Sequence, residues 1–278
     1  METPQISIII PTYKPKDYLW ECLESIEKQT LNASMFEVVV VLNGCKEPYL
    51  EKIKKYAERA KGLQVRILQT DQAGVSNARN LALKQTKTPY VCFIDDDDWI
   101  SPNYLEALLA QAADDCVAQA NVKKMDENTR EEVGEHFQGR AFKRYNAAHC
   151  HSLFHNRSFF SSACCKLIPR HCIQDNLFDP RIKRGEDSLF MFSISWAVHT
   201  VKIADASCIY YVRHREGSAN RRKVSFGERL SDCNKQIAIY TKLYLRHIKE
   251  NDFRFYLSRI VATFIKKVIK ETIWNSAT

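Results

Sequence analysis

Long apolar runs are absent from this sequence of 278 residues. No stretch approaches the roughly 18 apolar residues that a membrane-spanning helix needs, so we expect no transmembrane anchor. Residues 1–4 do not have the charged-then-apolar layout of a secretory signal peptide. We therefore expect a cytoplasmic protein in which the ten scattered cysteines are reduced thiols.

Three common binding signatures are also missing. Residues 11–15, which follow the first apolar run, contain no glycine and cannot form the GxGxxG turn that holds NAD or FAD. No zinc-finger, homeodomain or aromatic RNA-binding signature appears, so we expect no nucleic-acid partner despite a formal net charge of +8. The cysteines and histidines between residues 149 and 172 match no standard zinc spacing, and we favour core and loop roles for them.

The first half of the chain alternates short β-branched apolar runs with helical patterns. The predicted strands are 6–10, 36–42, 65–68 and 90–94, and the predicted helices are 18–29, 49–60, 76–87 and 103–112. Continuously apolar runs are typical of parallel strands that are buried on both faces. The sequence therefore predicts an α/β fold whose ligand lies beyond the carboxyl ends of the strands.

Four consecutive carboxylates, Asp95 to Asp98, directly follow the fourth predicted strand. Successive residues of an extended segment point to opposite faces, so Asp95 and Asp97 can converge on one object while Asp96 and Asp98 face elsewhere. Like charges this close raise one another's pKa unless a cation compensates, and oxygen ligands suit Mg²⁺ or Mn²⁺. The alternative is a solvated acidic turn before a helix.

Other polar residues follow the remaining predicted strands, and we expect them to meet the acidic cluster in one crevice. Pro11, Thr12 and Tyr13 follow the first strand, and Asn43 follows the second. Arg79 lies in the first turn of a predicted helix, where it can hold a nucleotide or a carboxylate of the acidic cluster. The alternative for Arg79 is a solvent-facing helix residue.

Four segments together resemble the family 2 glycosyltransferases of GT-A fold: residues 8–13, 40–44, 74–80 and 93–102. The resemblance covers about the first 110 residues in unbroken order. It resumes at residues 185–190, Gly-Glu-Asp-Ser-Leu-Phe, which are similar to the catalytic-base motif of that family. It implies a Rossmann-like, mostly parallel sheet with helices on both faces, and an inverting transferase that uses a nucleotide-sugar donor.

The resemblance also implies where the donor binds. Pro11, Thr12 and Tyr13 would contact the base and ribose end of the donor, and Arg79 would lie near the nucleotide. Asn43 departs from the family pattern, because members usually carry aspartate there. Its amide oxygen can still accept a hydrogen bond from a uracil N–H, and a UDP-sugar is the donor that we favour.

By the same resemblance, Asp95 and Asp97 form a DxD pair. Asp95 would lie nearer the ribose, and Asp97 would bind a Mn²⁺ or Mg²⁺ ion that bridges the diphosphate. Asp96 and Asp98 would support them, with Asp96 also at the donor. His214 is a further candidate ligand of the metal, and a solvated basic loop is the alternative for its segment.

Asp187 is the candidate catalytic base that would take the proton from an acceptor hydroxyl. Without the resemblance, Glu186 and Asp187 would be interpreted as an acidic pair at a helix N-terminus. The acceptor would be a glycan or a lipid-linked saccharide in surface polysaccharide biosynthesis. Two other functions stay open, a sugar-nucleotide pyrophosphorylase and a non-catalytic nucleotide- or metal-binding module.

We expect three regions along the chain: a nucleotide-sugar-binding half over 1–115, an acceptor-binding and catalytic-base half over 116–225, and a helical C-terminal extension over 226–278. The first two would form one GT-A catalytic domain. The extension carries an apolar stripe, and its lysines lie mostly outside that stripe. The stripe consists of Leu257, Val261, Phe264, Ile265 and Val268. This stripe would either dock on the catalytic domain or lie on an anionic membrane at its inner face.

Overall fold

The computed structural model describes residues 3–60, 62–215 and 225–270. Its strands are β1 Ile6–Thr12, β2 Phe36–Asn43, β3 Gln64–Thr70, β4 Tyr90–Phe93, β5 Trp99–Ile100, β6 Cys116–Gln119, β7 Asn121–Asp126, β8 Lys166–Pro169, β9 Thr200–Ile203 and β10 Ile209–His214. Its helices are α1 Tyr18–Glu27, α2 Tyr49–Arg59, α3 Val75–Gln85, α4 Tyr104–Leu109, α5 Phe137–Lys143, α6 Arg170–Ile173, α7 Glu186–Ser193, α8 Phe226–Arg246 and α9 Phe253–Phe264. A π-helical segment, Ile265–Lys270, continues α9.

The predicted alternation of strands and helices in the first half of the chain is confirmed. β1 pairs in parallel with both β2 and β4, and β2 pairs in parallel with β3. Every residue of β1 and β2 is buried, as their continuous apolar runs indicate. Right-handed crossovers place α1 and α2 on one face of the sheet and α3 on the other.

Seven strands form the central sheet in the order β3-β2-β1-β4-β8-β6-β9. β8 is antiparallel to both neighbours, β4 and β6, so the sheet is mixed at this side. A second sheet contains β5, β10 and β7. The chain moves from β1 to β2 and β3 in one direction and returns to β4 on the other side of β1. The order of the strands therefore reverses between β1 and β4, which is where open α/β sheets bind ligands.

The thiols contribute to the core and not to cross-links. All ten cysteines are free, and eight of them are buried. Cys45 is the exposed one, and Cys150 is intermediate. Buried cysteine packs as a small hydrophobic residue, which suits its frequency in this core.

The C-terminal helices dock through a face different from the predicted stripe. The ring of Phe255 packs on Phe160 and Phe192, with ring centroids 5.4 and 5.5 Å apart. Arg259 is 6% exposed and donates to the carbonyl oxygen of Phe160 at 3.1 Å. Four stripe residues are instead between 38% and 48% exposed: Leu257, Val261, Phe264 and Ile265. The C-terminal helices therefore dock on the preceding part of the chain, which is one of the two alternatives expected, but the contact is made by this other face and not by the stripe.

The predicted helical region is interrupted, since α8 ends at Arg246 and α9 begins at Phe253. Residues 271–278 of the predicted helical extension lie outside the described residues. Within the described ranges, no helix combines the length and the hydropathy needed to cross a membrane.

Gly139 allows α5 to pack closely on β7, because a Cβ atom at this position would lie 2.3 Å from the carbonyl oxygen of Val122. We expect Gly139→Ala to lower the free energy of unfolding by about 1–3 kcal/mol, since backbone has to shift. Urea denaturation measures this change. Gly227→Ala is the matched control, because nothing lies within 4 Å of its added Cβ atom. A loss of equal size in both variants would contradict the packing argument.

Candidate active site

The carboxyl ends of β1 and β4 meet at the point where the strand order reverses. Thr12 is the last residue of β1, and its hydroxyl donates to Oδ2 of Asp96 at 2.5 Å. The backbone N–H of Asp95, just after β4, donates to the hydroxyl of Tyr210 at 3.0 Å. The acidic cluster is thus fixed to the end of the neighbouring strand and to the second sheet.

Two of the four aspartates pair with arginine side chains, and a third accepts a backbone hydrogen bond. Oδ1 of Asp95 accepts from Arg79 at 2.8 Å, and Asp97 forms an ion pair with Arg215. Asp98 is buried and accepts from the backbone N–H of Arg213 at 2.9 Å. Asp98 therefore faces inward, while Asp96 faces Thr12. A fully solvated acidic turn does not describe this cluster, because Asp98 is buried, the other three aspartates are partly buried, and all four have specific hydrogen-bond partners.

The arginines do not fully offset the effects of burial and mutual repulsion on the carboxylates. Burial, together with the nearby charges of Asp97 and Asp95, raises the pKa of Asp96 to about 7, against the lowering effect of the Thr12 hydrogen bond. Burial and the charge of Asp95 also raise the pKa of Asp97, although Arg215 opposes them. A cation at this place would relieve the repulsion.

Arg79 joins the acidic cluster to the candidate base. Its side chain is 3% exposed, and it donates to Oδ1 of Asp187 at 2.6 Å as well as to Asp95. Its guanidinium carbon lies 5.1 Å from the ring centroid of Phe178 and 5.8 Å from that of Phe93. Burial disfavours the charged form, but Asp187 and Asp95 outweigh it and raise the pKa of Arg79. Arg79 is therefore not the solvent-facing residue of the alternative interpretation.

Asp187 is held from two sides at the start of α7. Opposite Arg79, its Oδ2 accepts from the hydroxyl of Ser162 and from the N–H of Ala163, both at 3.2 Å. The loop around Ser162 is itself fixed, because the buried ammonium of Lys166 donates to the carbonyl oxygens of Ser162 and Cys164 at 2.6 Å each. Ser162 and Lys166 were missed by sequence reasoning, since they lie in a weakly patterned segment.

The predicted donor-binding residues Pro11, Tyr13 and Asn43 have different surroundings. Pro11 is buried inside β1, whereas Tyr13 is 50% exposed. Asn43 is 3% exposed, and its amide joins the end of β1 to the residue before α3. Its Nδ2 donates to the Thr12 carbonyl at 2.7 Å, and its Oδ1 accepts from the Gly74 N–H at 2.8 Å. Both ends of this amide are therefore engaged by backbone.

Gly44 supports the exposed ring of Tyr13. Its φ of +87° lies in the region that favours glycine, and a Cβ atom there would lie 2.6 Å from Cε2 of Tyr13. The tyrosine ring consequently rests directly on the backbone after β2. An exposed aromatic ring near the point where the strand order reverses is a suitable surface for stacking of a nucleobase.

Residues 7–175 match the family model described as Glycosyl transferase family 2. This match spans more than half of the chain. The chain belongs to glycosyl transferase family 2. The family prediction is therefore confirmed.

Two curated relatives illustrate the place of this chain in glycosyl transferase family 2. It is 28% identical over 215 residues to the poly(ribitol-phosphate) beta-N-acetylglucosaminyltransferase TarS of Staphylococcus aureus, covering 77% of this chain and 36% of TarS. It is 23% identical over 226 residues to the putative glycosyltransferase EpsH of Bacillus subtilis, covering 80% of this chain and 64% of EpsH. The chain thus spans between about a third and two thirds of these relatives.

The fold agrees with a solved structure. The structure of S. aureus TarS 1–349 in complex with UDP-GlcNAc superposes with a TM-score of 0.73 at 23% identity. The superposition covers 94% of this chain and 73% of the TarS chain. The predicted GT-A fold, with its mostly parallel sheet and C-terminal helices, is confirmed.

A divalent metal fits the donor chemistry of the acidic cluster. The oxygen-only ligands suit Mg²⁺ or Mn²⁺, and the raised pKa values of Asp96 and Asp97 mark negative charge that such an ion would neutralise. No group of three or more His, Cys, Asp or Glu side chains in the described ranges is already arranged around a metal position. His214, half-buried at the end of β10, belongs to no such group.

The raised pKa of Asp96 predicts a pH-dependent stability. Its folded pKa of about 7 lies above the ordinary value of 3.8, so unfolding releases a proton between these values and the folded protein loses stability as pH rises through them. In the presence of a chelator, we expect the free energy of unfolding of Asp96→Asn, relative to that of the wild type, to rise by roughly 2 kcal/mol from pH 5 to pH 8.

Urea denaturation at several pH values measures this difference. Asp175→Asn, at an exposed position away from the cluster, is the control for the change in net charge. A difference between wild type and Asp96→Asn that stays constant with pH would contradict the raised pKa.

Proposed function

We propose that this chain is an inverting glycosyltransferase that moves a sugar from a UDP-sugar to a hydroxyl of a glycan or lipid-linked saccharide acceptor. The observation that carries the proposal is the bridge made by Arg79. One buried guanidinium binds Asp95 of the DxD pair at 2.8 Å and the candidate base Asp187 at 2.6 Å. The groups that we assign to donor binding and to proton acceptance would therefore lie within the reach of one side chain, where the strand order reverses between β1 and β4.

At the donor end, the exposed ring of Tyr13 would stack on the nucleobase, and Thr12 would hold Asp96 beside the ribose. Asp97 would hold Mn²⁺ or Mg²⁺ in place of Arg215, with His214 as a further ligand. Such an ion stabilises the charge that grows on a departing nucleoside diphosphate. A UDP-sugar is supported by the TarS structure in complex with UDP-GlcNAc, whose fold this chain shares.

At the acceptor end, Asp187 would remove the proton from the attacking hydroxyl. The acceptor oxygen forms a bond to the anomeric carbon while the bond from that carbon to the diphosphate oxygen breaks. Attack from the face opposite the diphosphate inverts the configuration. Arg79, Ser162 and Ala163 hold the carboxylate in one orientation, which places the base before the reaction begins.

The other two functions have less support. A pyrophosphorylase normally has a glycine-rich phosphate loop after its first strand, whereas residues 13–17, which follow β1, contain no glycine. A non-catalytic module does not need a positioned base, and here Asp187 has three donors around its carboxylate.

We also propose that the protein acts in surface polysaccharide biosynthesis on the cytoplasmic side of a membrane, with peripheral contact through its C-terminal helices. The exposed stripe of Leu257, Val261, Phe264 and Ile265 supports this contact, since a surface apolar stripe flanked by lysines suits an anionic bilayer.

Asp187→Asn and Asp97→Ala separate the proposed roles of base and metal ligand. Asp187→Asn keeps the shape of the side chain but cannot accept the proton, so transfer is expected to fall by about 10²–10⁴-fold while UDP binding is retained. Asp97→Ala is expected to weaken Mn²⁺-dependent UDP binding. Calorimetry with UDP and Mn²⁺ or chelator measures binding, and a panel of UDP-sugars with glycan acceptors measures transfer.

Asp175→Asn provides the matched control and should retain both properties, because Asp175 is exposed and outside the site. Equal loss of UDP binding in Asp187→Asn and Asp97→Ala would refute the division of roles. Absence of UDP binding to the wild type under all conditions would refute the proposed donor class.

Leu257→Ser combined with Val261→Ser tests the membrane contact. Removing two exposed apolar side chains is expected to weaken binding to vesicles of phosphatidylglycerol and phosphatidylcholine by about tenfold or more. Co-sedimentation measures the bound fraction. Leu177→Ser changes an exposed leucine outside the C-terminal helices and should bind as the wild type does. Vesicle binding that is unaffected by the double substitution would rule out the stripe as the contact.

A further inference from the structure

An open cavity of about 460 Å³ lies between the loop before α7 and the first half of α8. Its walls contain residues 181–184 of the loop, residues of α8 from Glu228 to Gln236, and Lys267. None of the residues that we assign to the donor lies in these walls. The cavity is therefore separate from the acidic cluster.

The cavity wall is strongly basic, with only Glu228 and Asp232 as acidic members. Its cationic members are Arg181, Lys183, Arg184, Arg229, Lys235 and Lys267. Arg181 pairs with Asp179 at 2.7 Å, and Lys267 lies 3.9 Å from Asp232. Cationic side chains outnumber acidic ones in this wall by six to two, and a basic wall around an open space favours an anionic ligand.

Lys183 and Lys235 are the charges most available to such a ligand. Both are exposed, and they approach the cavity from its two sides, the loop and α8. Across residues 3–60, 62–215 and 225–270, neither lysine has a carboxylate within ion-pair distance. An ammonium group without a protein partner can bind an oxyanion without first breaking an ion pair.

A short stretch of backbone connects the basic wall to the candidate base. Nε2 of Gln236 donates to the carbonyl oxygen of Arg184 at 2.5 Å, which fixes the end of the loop to α8. Gly185 follows, and α7 begins with Glu186 and Asp187. Three residues of chain span at most about 11 Å, so the cavity wall at Arg184 lies within that distance of Asp187 along the backbone.

We propose that this cavity binds a phosphate group of the acceptor. The inference rests on the proposed function, in which the acceptor hydroxyl approaches Asp187 while the donor diphosphate lies at Asp95 and Asp97. A phosphate held by Lys183 and Lys235 would place a neighbouring hydroxyl of the same molecule near Asp187. The shared chemistry is a phosphate attached to a saccharide or polyol, either in a lipid-linked diphosphate or in a phosphodiester polymer.

The test compares two pairs of substitutions that change the net charge equally. Lys183→Gln with Lys235→Gln removes two charges from the cavity. Lys52→Gln with Lys55→Gln removes two exposed charges from α2 and is the matched control. The probes are N-acetylglucosamine linked to a short prenyl diphosphate, a ribitol-phosphate oligomer, and neutral chitotriose. Calorimetry measures the affinity of each probe, and UDP binding with Mn²⁺ is measured on the same samples.

We expect the cavity pair to weaken binding of at least one phosphate probe about tenfold or more, with UDP binding unchanged. The α2 pair should bind all probes as the wild type does. Loss with the prenyl diphosphate alone would identify a lipid-linked acceptor, and loss with the ribitol-phosphate alone would identify a polymer; both support the proposal.

Three results would overturn the inference while leaving the proposed function intact, provided that UDP still binds. They are equal losses in the two variant pairs, equal affinity of the wild type for neutral and phosphate probes, and no binding of either phosphate probe. If the wild type binds no UDP, the proposed function itself is overturned, and the acceptor assignment is lost with it.

Discussion

The buried guanidinium of Arg79 is the interaction on which the rest of the site depends. A charged group that is removed from water must be paired, and Arg79 is paired with carboxylates from two distant parts of the chain, Asp95 and Asp187. Removing one partner of a buried charge network typically costs about 3–5 kcal/mol, because the remaining charge is left uncompensated. The relative position of the acidic cluster and α7 is therefore fixed by electrostatics as well as by the sheet.

The charge on the cluster and the arginines around it support the proposal that one place binds both a cation and a nucleotide. Arg79 and Arg215 compensate Asp95 and Asp97, yet the pKa values of Asp96 and Asp97 stay raised because the carboxylates are buried together. The repulsion between these carboxylates persists in the folded protein, at the point where the strand order reverses. Strain of this kind is usual at functional sites and unusual in a structural core.

The first half of the fold was predictable because its signals are local. Continuous apolar runs indicated β1 and β2, and the polar residues after the strands indicated where the candidate site lies. The partners of Asp187 were not predictable, because Ser162 and Ala163 precede it by more than 20 positions in a segment without clear periodicity.

The exposed stripe of the C-terminal helices was also ambiguous. An amphipathic pattern shows that one face is apolar but does not show which face meets the core. Asn43 was expected in the same crevice as Thr12, but its two backbone hydrogen bonds were not predictable because they depend on how β1, β2 and α3 are positioned relative to one another.

The distribution of the thiols has a practical consequence for optical work. Cys45 is exposed and directly follows Gly44, on which the ring of Tyr13 rests, whereas eight other cysteines are buried. Burial shields a thiol from alkylating reagents, so a maleimide fluorophore would label the native protein chiefly at Cys45. The dye would then sit beside the aromatic face at the switch point without any engineered cysteine. The chain therefore carries its own attachment point for a fluorescent reporter at the mouth of the crevice.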